Sequence, residues 1–366
     1  MATEKLIVKN FGPIVEAELD LKKVTVLIGE QASGKSVLAK LVTTFSEKLF
    51  PSDANIIQTL KEYNIDQYLS KKTFIHFISK DFEIQYKNDT FLIEIEGKAI
   101  IKGVSKSVQI LSGKTQKSIL EKKELNLKTG IYIPAERILI SLISESLFGF
   151  VTNDISLPKF LLNFGNEYEK ARKEIKSFHS NNLDIRYAFE NNNDKITYKK
   201  VKSSLVDSSS GLQSILPLLL IIEKYSSKKS EEQFLFITEE PELNLYPNTQ
   251  KELLKYLIEN CTKGDNRLII TTHSPYILTA LNNLIQANNV IKKNPEMADE
   301  VAKIVPPQYQ IDFEDVAAYF VADGTAKSIM NIENQLIDAN ALDEVSNDIS
   351  EEFGKLLQLE FQNETL

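Results

Sequence analysis

The sequence is poor in the residues that build disulfides and zinc sites, with one cysteine and three histidines among 366 residues. The single Cys261 excludes an intrachain disulfide, and three histidines cannot build several metal sites. No apolar run reaches the length of a membrane span or of a signal-peptide core. We therefore expect a cytoplasmic protein that makes no membrane contact and does not depend on zinc.

Positive charge is also in deficit, because the formal net charge is −8. This balance argues against a uniformly basic nucleic-acid-binding protein, but not against a local basic patch. The lysine-rich candidates are segments 71–72, 114–128 and 199–202. Acidic residues are interspersed with these lysines, so the segments are more typical of solvated loops.

Glycine is scarce as well, with 13 residues, yet two glycines lie in one short segment directly after the apolar strand 24–28. The pattern Gly-x-x-x-x-Gly-Lys-Ser is typical of a phosphate-binding loop (P-loop) that leads into a helix. Its glycines allow a tight turn with inward N–H groups, Lys35 can reach the β- and γ-phosphates, and the Ser36 hydroxyl can ligate Mg²⁺. The sequence thus predicts a nucleoside triphosphate with Mg²⁺, bound by Gly29, Glu30, Gln31, Ala32, Ser33, Gly34, Lys35 and Ser36.

The pattern along the chain predicts an α/β fold with one domain over 1–366. The apolar and polar residues over 5–28 alternate as in strands, which predicts three strands that lead to the nucleotide site. Aromatic and β-branched runs over 73–130 predict an antiparallel β subdomain, and the helical period over 138–180 predicts an inserted helical arm. Residues 180–200 are rich in Asn and Lys, and residues 191–194 within them are expected to form a turn or mobile loop.

From about residue 211 the pattern alternates between helix and strand, which argues for a parallel sheet with covering helices. The predicted helices are 212–225 and 248–260, and the predicted strands are 234–238 and 268–272. The C-terminal extension, 300–366, is expected to contain a strand at 316–321, a turn at 323–324 and a helix at 346–359.

Acidic residues follow the buried-type strand 234–238 immediately. Acids at the carboxyl end of a parallel strand lie where ligands bind in open α/β sheets. We assign Glu239 to Mg²⁺ and Glu240 to the attacking water, which it would orient and deprotonate for in-line phosphoryl transfer. The alternative is an acidic helix N-terminus that offsets the helix dipole, and that interpretation suits Glu242 best.

Two further motifs are less specific by themselves. Ser208 to Gln213 precede an apolar helix and could bind a γ-phosphate, although a serine-rich N-cap is the simpler interpretation. His273 follows the strand 268–272, where it could contact the γ-phosphate and the attacking water. A lone histidine is more often structural than catalytic.

Taken in order, the P-loop, Ser-Gly-x-Gln, strand-Glu-Glu and strand-Thr-His motifs resemble the ATP-binding-cassette (ABC) type of ATPase head found in SMC and RecF proteins. A closer resemblance is to the OLD-like AAA ATPases of bacteria. It rests on the opening segment 5–36, on Tyr-Ile-Pro-Ala-Glu-Arg at 132–137 and on Glu-Glu-Pro-Glu at 239–242. With segments 271–278 and 319–324, it spans nearly the full chain.

The resemblance implies an ATPase fold of ABC-head type, ATP as the substrate, and a composite site formed when two heads meet head to tail. Ser210, Gly211 and Gln213 of one subunit would then face the γ-phosphate held by Lys35 of the other. Arg137 is expected to act as a charge clamp on the nucleotide, in place of a glutamine. The family segment usually carries histidines where this chain has Asn244 and Tyr246, which puts the contacts between heads at that point in doubt.

Relatives of this kind either carry a TOPRIM nuclease domain or work beside a separately encoded effector in phage-defence systems. We expect the residues after His273 to hold no TOPRIM domain. The leading hypothesis is a cytoplasmic, oligomeric ATPase of a bacterial defence system that senses infection or controls a separate nuclease or toxin. The alternatives are a RecF-like ATPase that clamps duplex DNA, and a scaffold locked by ATP.

Overall fold

The computed structural model describes residues 4–46, 56–80, 82–95, 98–104, 107–110, 128–143, 157–227 and 232–338, together with residues 351 and 355. The first strands of the chain are β1 (Glu4–Phe11), β2 (Ile14–Leu21) and β3 (Val24–Ile28), as the sequence predicts. In β1 and β2 buried and exposed side chains largely alternate, whereas all five residues of β3 are buried. This pattern identifies β3 as a strand covered on both faces.

The remaining strands are β4 (Phe74–Ile78), β5 (Phe82–Lys87), β6 (Thr90–Ile95), β7 (Lys98–Val104), β8 (Ser107–Ile110), β9 (Thr129–Ile133), β10 (Ser177–Ser180), β11 (Ile185–Glu190), β12 (Asn193–Tyr198), β13 (Val201–Ser204), β14 (Phe234–Glu239), β15 (Arg267–Thr272), β16 (Val316–Ala322), β17 (Thr325–Ser328), β18 (Met330–Asn331) and β19 (Leu336–Ile337). The described helices are α1 (Lys35–Ser46), α2 (Ile56–Glu62), α3 (Ile138–Ile143), α4 (Lys159–Glu174), α5 (Ser210–Ser226), α6 (Pro247–Cys261), α7 (Pro275–Lys293) and α8 (Ala298–Ile304).

One mixed sheet of thirteen strands, in the order β8-β7-β6-β5-β4-β1-β2-β17-β16-β3-β15-β14-β9, forms the body of the molecule. Its five strands β16-β3-β15-β14-β9 are parallel. The predicted parallel sheet is therefore confirmed, and the segments that follow β3, β14 and β15 leave the sheet at the same edge. Helix α1 packs against β9, β14 and β15 and so covers one face behind that edge.

Strands β4 to β8 are antiparallel, as predicted, and they continue the main sheet through the pairing of β1 with β4. Residues 111–127, which include most of the lysine-rich segment 114–128, lie outside the described residues. The predicted helical arm appears as α3 and α4, while 144–156 are not described.

Residues 177–204 form a second, four-stranded antiparallel sheet with the order β10-β11-β12-β13. Asn191 and Asn192 form the tight turn between β11 and β12, with φ of 52° and 63°. Asparagine tolerates this left-handed conformation, so the Asn-rich run is a hairpin turn. The predicted turn within the segment is confirmed.

At the C-terminal side, β16 confirms the predicted strand. The predicted turn is confirmed at Asp323 and Gly324, which both have a positive φ. The predicted helix 346–359 lies almost wholly outside the described residues. Within the described part of the chain, no helix has the length and apolar character needed to cross a membrane.

Candidate nucleotide-binding site

The segment between β3 and α1 turns sharply under the end of the neighbouring strand β16. Gly29 has a φ of 156°, and a Cβ placed on it would lie 2.1 Å from the carbonyl oxygen of Val321. No other residue fits this approach without moving the backbone of β16. Ala32 also has a positive φ of 59°, a conformation that is costly for alanine. The turn is therefore compact and partly strained, as phosphate-binding loops are.

Lys35, the first residue of α1, is almost fully buried inside the loop. Its ammonium donates hydrogen bonds to the carbonyl oxygens of Gly29 at 2.9 Å and Glu30 at 2.6 Å. Burial lowers the pKa of Lys35, and the carboxylates of Glu240, Glu242 and Glu239 oppose that shift. The lysine of the predicted P-loop and the acids of the Glu-Glu-Pro-Glu segment thus share one electrostatic environment.

Glu239 is the last residue of β14 and is 4% exposed. Among the described residues, its Oε1 atom has no hydrogen-bond partner. Burial raises the pKa of Glu239, whereas Lys40 and the hydroxyls of Tyr132 and Ser36 favour its charged form. A buried carboxylate oxygen without a partner, beside the serine of the P-loop, is a suitable ligand for a hard cation.

Glu240 and His273 leave neighbouring strands and meet at their ends. His273 Nε2 lies 3.0 Å from Glu240 Oε1, and both side chains remain partly exposed. Glu240 has a φ of 42°, and its N–H donates to the carbonyl oxygen of Thr271 at 2.8 Å. A non-glycine residue held in this conformation at a strand end is typical of a functional position. The structure therefore brings the two predicted catalytic side chains together.

The interpretation of Glu242 as an acidic helix N-terminus is wrong, because its carboxylate binds the end of β15. Glu242 Oε1 accepts hydrogen bonds from Thr272 Oγ1 at 2.5 Å and from the His273 N–H at 2.9 Å. Burial of Glu242 at 8% exposure makes these bonds structurally important. Glu242 thus holds the backbone of His273 in place.

A second contact connects the same two segments. Ser274 Oγ donates to Gln250 Oε1 at 2.6 Å, and Gln250 Nε2 donates to the carbonyl oxygen of Leu245 at 2.9 Å. Together with Glu242, these bonds fix segment 240–245 against segment 272–274. The geometry of the Glu240–His273 pair therefore depends on residues that the sequence analysis did not single out.

The expectation that Arg137 clamps the nucleotide is not supported by its surroundings. Arg137 is 0% exposed, and its guanidinium donates to the carbonyl oxygens of Pro134, Ser214, Glu239, Glu240 and Pro241 at 2.8–3.2 Å. Burial lowers the pKa of Arg137 to about 10, opposed by nearby glutamates. Because these contacts occupy its N–H groups, Arg137 serves as a structural tie between α5 and the segment after β14.

The Ser-Gly-x-Gln segment forms the start of α5. Ser209 is the N-cap residue, makes no side-chain capping bond, and is exposed together with Ser210. A Cβ on Gly211 would lie 2.8 Å from the carbonyl oxygen of Asn244, so Gly211 allows this helix start to touch the segment after Glu242. Ser210 is free to meet a ligand, whereas Gly211 is engaged within its own chain.

Gln213, expected to contact ATP, is directed into its own chain instead. It is 8% exposed, and its Nε2 donates to the carbonyl oxygen of Val206 at 2.7 Å. Its backbone carbonyl accepts from Ser141 Oγ at 2.6 Å. Gln213 therefore stabilises the turn before α5, and its burial argues against a direct contact with nucleotide.

Three residues of this site escaped the sequence analysis: Tyr132, Gln250 and Thr272. Each lies in or next to a motif that was recognised, but its role depends on a partner far away in sequence. Thr272 and Glu242, for example, are 30 residues apart. The position of Thr272 in the sequence could have indicated its role, because it ends a buried strand and a hydroxyl there needs a polar partner.

The central part of the chain is similar to a known protein family. Residues 111–278 match the family model described as an AAA ATPase domain (AAA_15), which is 168 of the 366 residues and begins after the P-loop. No curated protein matches the sequence.

Solved structures that match include the SMC head domain from Thermotoga maritima, with 14% identity and a TM-score of 0.42, covering 90% of this chain and 98% of that one. Another is the Smc head domain with an extended coiled coil bound to the C-terminal domain of ScpA, derived from Pyrococcus furiosus. It has 14% identity and a TM-score of 0.41, and it covers 94% of this chain and 99% of that one. The strand order and the segments at the strand ends give the chain an α/β fold with a P-loop-like turn in the parallel part of its mixed sheet, and residues 111–278 are similar to an AAA ATPase domain.

Proposed function

We propose that this protein binds and hydrolyses ATP with Mg²⁺ at the end of strands β3, β14 and β15. The observation that carries the proposal is the Glu240–His273 pair, 3.0 Å apart, in the same environment as the buried Lys35 ammonium. A carboxylate paired with an imidazole beside a phosphate-binding lysine is suited to orienting a water for attack on a γ-phosphate.

Each side chain has a distinct task in this proposal. Lys35 neutralises the β- and γ-phosphates, and its hydrogen bonds to the loop carbonyls are exchanged for bonds to phosphate oxygens. Glu240 accepts the proton of the attacking water, while His273 orients the Glu240 carboxylate and contacts the γ-phosphate.

The donor set also fits Mg²⁺. Ser36 and the unpartnered oxygen of Glu239 would hold it, and the nucleotide and waters would complete the coordination. Within the described residues no group of three or more His, Cys, Asp or Glu side chains forms a metal cluster. When bound, Mg²⁺ supplies charge neutralisation for the transferred phosphoryl group.

We further propose that two copies complete the site head to tail. The support is the exposed start of α5, where Ser209 and Ser210 present a hydroxyl and unpaired N–H groups that can bind an anion. Tyr246, which is 74% exposed, follows two residues after Asn244, whose carbonyl oxygen lies against Gly211, and it is a second candidate contact between heads. Gly29, Glu30, Gln31, Ala32, Ser33 and Gly34 would surround the phosphates from the other subunit.

The experiment compares three variants of the purified protein. Lys35→Ala should abolish binding of a fluorescent ATP analogue, and Glu240→Gln should keep binding but stop phosphate release. Glu314→Gln, in an exposed turn, is the matched control and should behave like the parent. Equal ATP affinity of Lys35→Ala and the parent would contradict the assignment of a P-loop. Phosphate release by Glu240→Gln at the parental rate would contradict the assignment of Glu240 as the general base.

In the cell, the proposed role is that of a cytoplasmic ATPase subunit of a bacterial antiphage system that controls a separately encoded nuclease or toxin. The support is the resemblance of segments 132–137 and 239–247 to OLD-like ATPases. Phage plating of a strain that carries the native locus tests it: loss of protection with Lys35→Ala is expected. Protection retained by Glu240→Gln would instead favour a scaffold that ATP locks without turnover.

A further inference from the structure

We propose that the outward face of the four-stranded sheet β10–β13 binds the phosphate backbone of a nucleic-acid duplex. We call this surface the basic face and define it by Arg186, Lys195 and Lys202, with Thr197 between Arg186 and Lys202 and with His179 beside Arg186 on the edge strand β10. The inference does not depend on the proposed ATPase activity, because it concerns a separate surface.

The strand register aligns these side chains. His179 pairs with Arg186, Arg186 with Thr197, and Thr197 with Lys202, so one row of donor groups crosses all four strands. Lys195 lies in the adjacent row on the same side, because residues two apart along a strand share a face. With strands about 4.8 Å apart, Arg186 and Lys202 are roughly 10 Å from one another at the backbone.

The opposite side of this sheet is packed. Ile185, Tyr187 and Ile196 are at most 2% exposed. The alternation along β11 and β12 therefore assigns the two faces without ambiguity, and Arg186 lies among the exposed residues. Among the described residues, Arg186 and Lys202 on this side are exposed, and Lys195 and Thr197 are half-buried.

These cations have no carboxylate partner within the described part of the chain, although many other lysines and arginines do. Two acids lie near these cations. Glu190 is on the same side of β11, one row beyond Lys195, and Asp207 accepts a hydrogen bond from Ser204 Oγ, next to Lys195 across the strands. Three cations in two adjacent rows, with no ion-pair partner among the described residues, are a local exception on a protein of net charge −8.

The chemistry of the face favours phosphate over other anionic partners. Arginine, lysine and hydroxyl groups at adjacent positions are the side chains that contact phosphate oxygens, and a duplex presents about one charge per 1.7 Å of its axis. A protein partner or a membrane would need apolar or aromatic anchors, but in these rows only the small Ala188 is apolar. A phosphate backbone therefore fits the surface best.

The sheet is held rigidly beneath this face. Asp194 accepts hydrogen bonds from Tyr168 Oη at 2.9 Å, Tyr187 Oη at 2.7 Å and Arg172 Nε at 3.1 Å, which join the sheet to α4. The carbonyl of Asp194 also accepts from the Leu205 N–H at 2.9 Å, just before the start of α5. A rigid support lowers the ordering cost of binding.

The test measures fluorescence anisotropy of a labelled DNA duplex of random sequence with the full-length protein, over a series of salt concentrations. The parent should bind with a slope of log affinity against log salt of about −3, one phosphate for each of the three cations. The triple variant Arg186→Gln/Lys195→Gln/Lys202→Gln should bind at least tenfold more weakly, with a slope near zero. The matched control Lys72→Gln/Lys293→Gln/Lys327→Gln removes three exposed lysines on other elements and should bind like the parent. Circular dichroism checks that both variants are folded.

No binding by the folded parent at low salt overturns the proposal, as does equal affinity of the triple variant and the parent. Equal or tighter binding of polyglutamate or of phosphatidylserine vesicles overturns the assignment to nucleic acid. A parallel measurement with an RNA duplex shows which kind of nucleic acid binds. Binding of either duplex through the basic face supports the proposal. Duplex binding by Lys35→Ala would show that this surface acts independently of the ATP site.

Discussion

Arg137 offers the sharpest test of how this site is built, because the sequence and the structure give it different roles. The substitution Arg137→Lys keeps the positive charge but replaces a guanidinium that makes five hydrogen bonds to carbonyl oxygens. An ammonium has three donors and no planar fork. At least two carbonyl oxygens lose their donor in the variant.

The loss in free energy of unfolding can be estimated from the hydrogen bonds that these carbonyl oxygens keep in the variant. A buried acceptor left unsatisfied costs about 1–3 kcal/mol. The carbonyl of Glu240 also accepts from the Leu243 N–H at 3.1 Å, and Ser214 lies within a helix, so these two acceptors are partly satisfied without Arg137. We therefore expect a loss near the lower end of the range for two acceptors, about 2–3 kcal/mol.

The assay is urea unfolding without nucleotide, combined with ATP-analogue binding and phosphate release. We expect Arg137→Lys to unfold at lower urea, to bind the analogue within threefold of the parent, and to release phosphate more slowly because the segment that carries Glu240 loses its tie. Arg172→Lys is the matched control. Its buried guanidinium bonds to Asp194 away from the site, so it should lose stability and keep its rate of hydrolysis for the folded fraction.

The opposite pattern would refute this reasoning. If Arg137 contacts the nucleotide, Arg137→Lys should unfold at the parental urea concentration and bind the analogue at least tenfold more weakly. That outcome would restore the charge-clamp role predicted from the sequence.

Three other predictions concern single positions. Burial would raise the pKa of Glu167, but hydrogen bonds from lysines and a tyrosine outweigh it and lower the pKa to about 2. The charged carboxylate therefore stabilises the fold above pH 4.5, and this contribution is lost as the pH falls towards 2. In Glu167→Gln, the free energy of unfolding should depend less on pH in that acid range. Ala32→Gly should raise unfolding free energy by about 0.5 kcal/mol in urea titrations, because relief of the left-handed strain exceeds the added chain entropy; a loss of stability would contradict it. Gly211→Ala should lower the free energy of unfolding by about 1–3 kcal/mol, because the new Cβ would meet the Asn244 carbonyl oxygen. In Gly165→Ala the new Cβ meets only the flexible end of a side chain, so this variant should be as stable as the parent or more stable in thermal unfolding.

The elements that the sequence predicts well are those encoded locally. The P-loop, its strand β3 and helix α1 form one continuous segment, and the strands 234–239 and 267–272 are apolar runs of the expected length. The acids and the histidine could be placed at one edge because parallel strands share the direction in which they leave the sheet. Juxtaposition of Glu240 with His273 follows from that topology.

The roles of Arg137 and of the small sheet could not be read in the same way. Arg137 contacts carbonyls up to 104 residues away, and backbone acceptors leave no trace in the sequence. The segment 177–204 does contain a signal, since the buried Ile185 and Tyr187 flank the exposed Arg186, and the buried Asp194 and Ile196 alternate with half-buried residues. The surrounding asparagines and lysines obscured it, although asparagine pairs are common in hairpin turns.

The position of β3 has a consequence for the order in which this chain can fold. Its neighbours in the sheet are β15 and β16, so the strand that carries the P-loop pairs only with segments that begin at residues 267 and 316. At a synthesis rate of 5–20 residues per second, about 15–60 s pass between translation of Ile28 and that of Val316. For most of that interval this fully buried strand lacks both of its partners in the sheet. Premature pairing of β3 is the foreseeable misfolding event, and nascent chains truncated before residue 316 should be the species that chaperones retain.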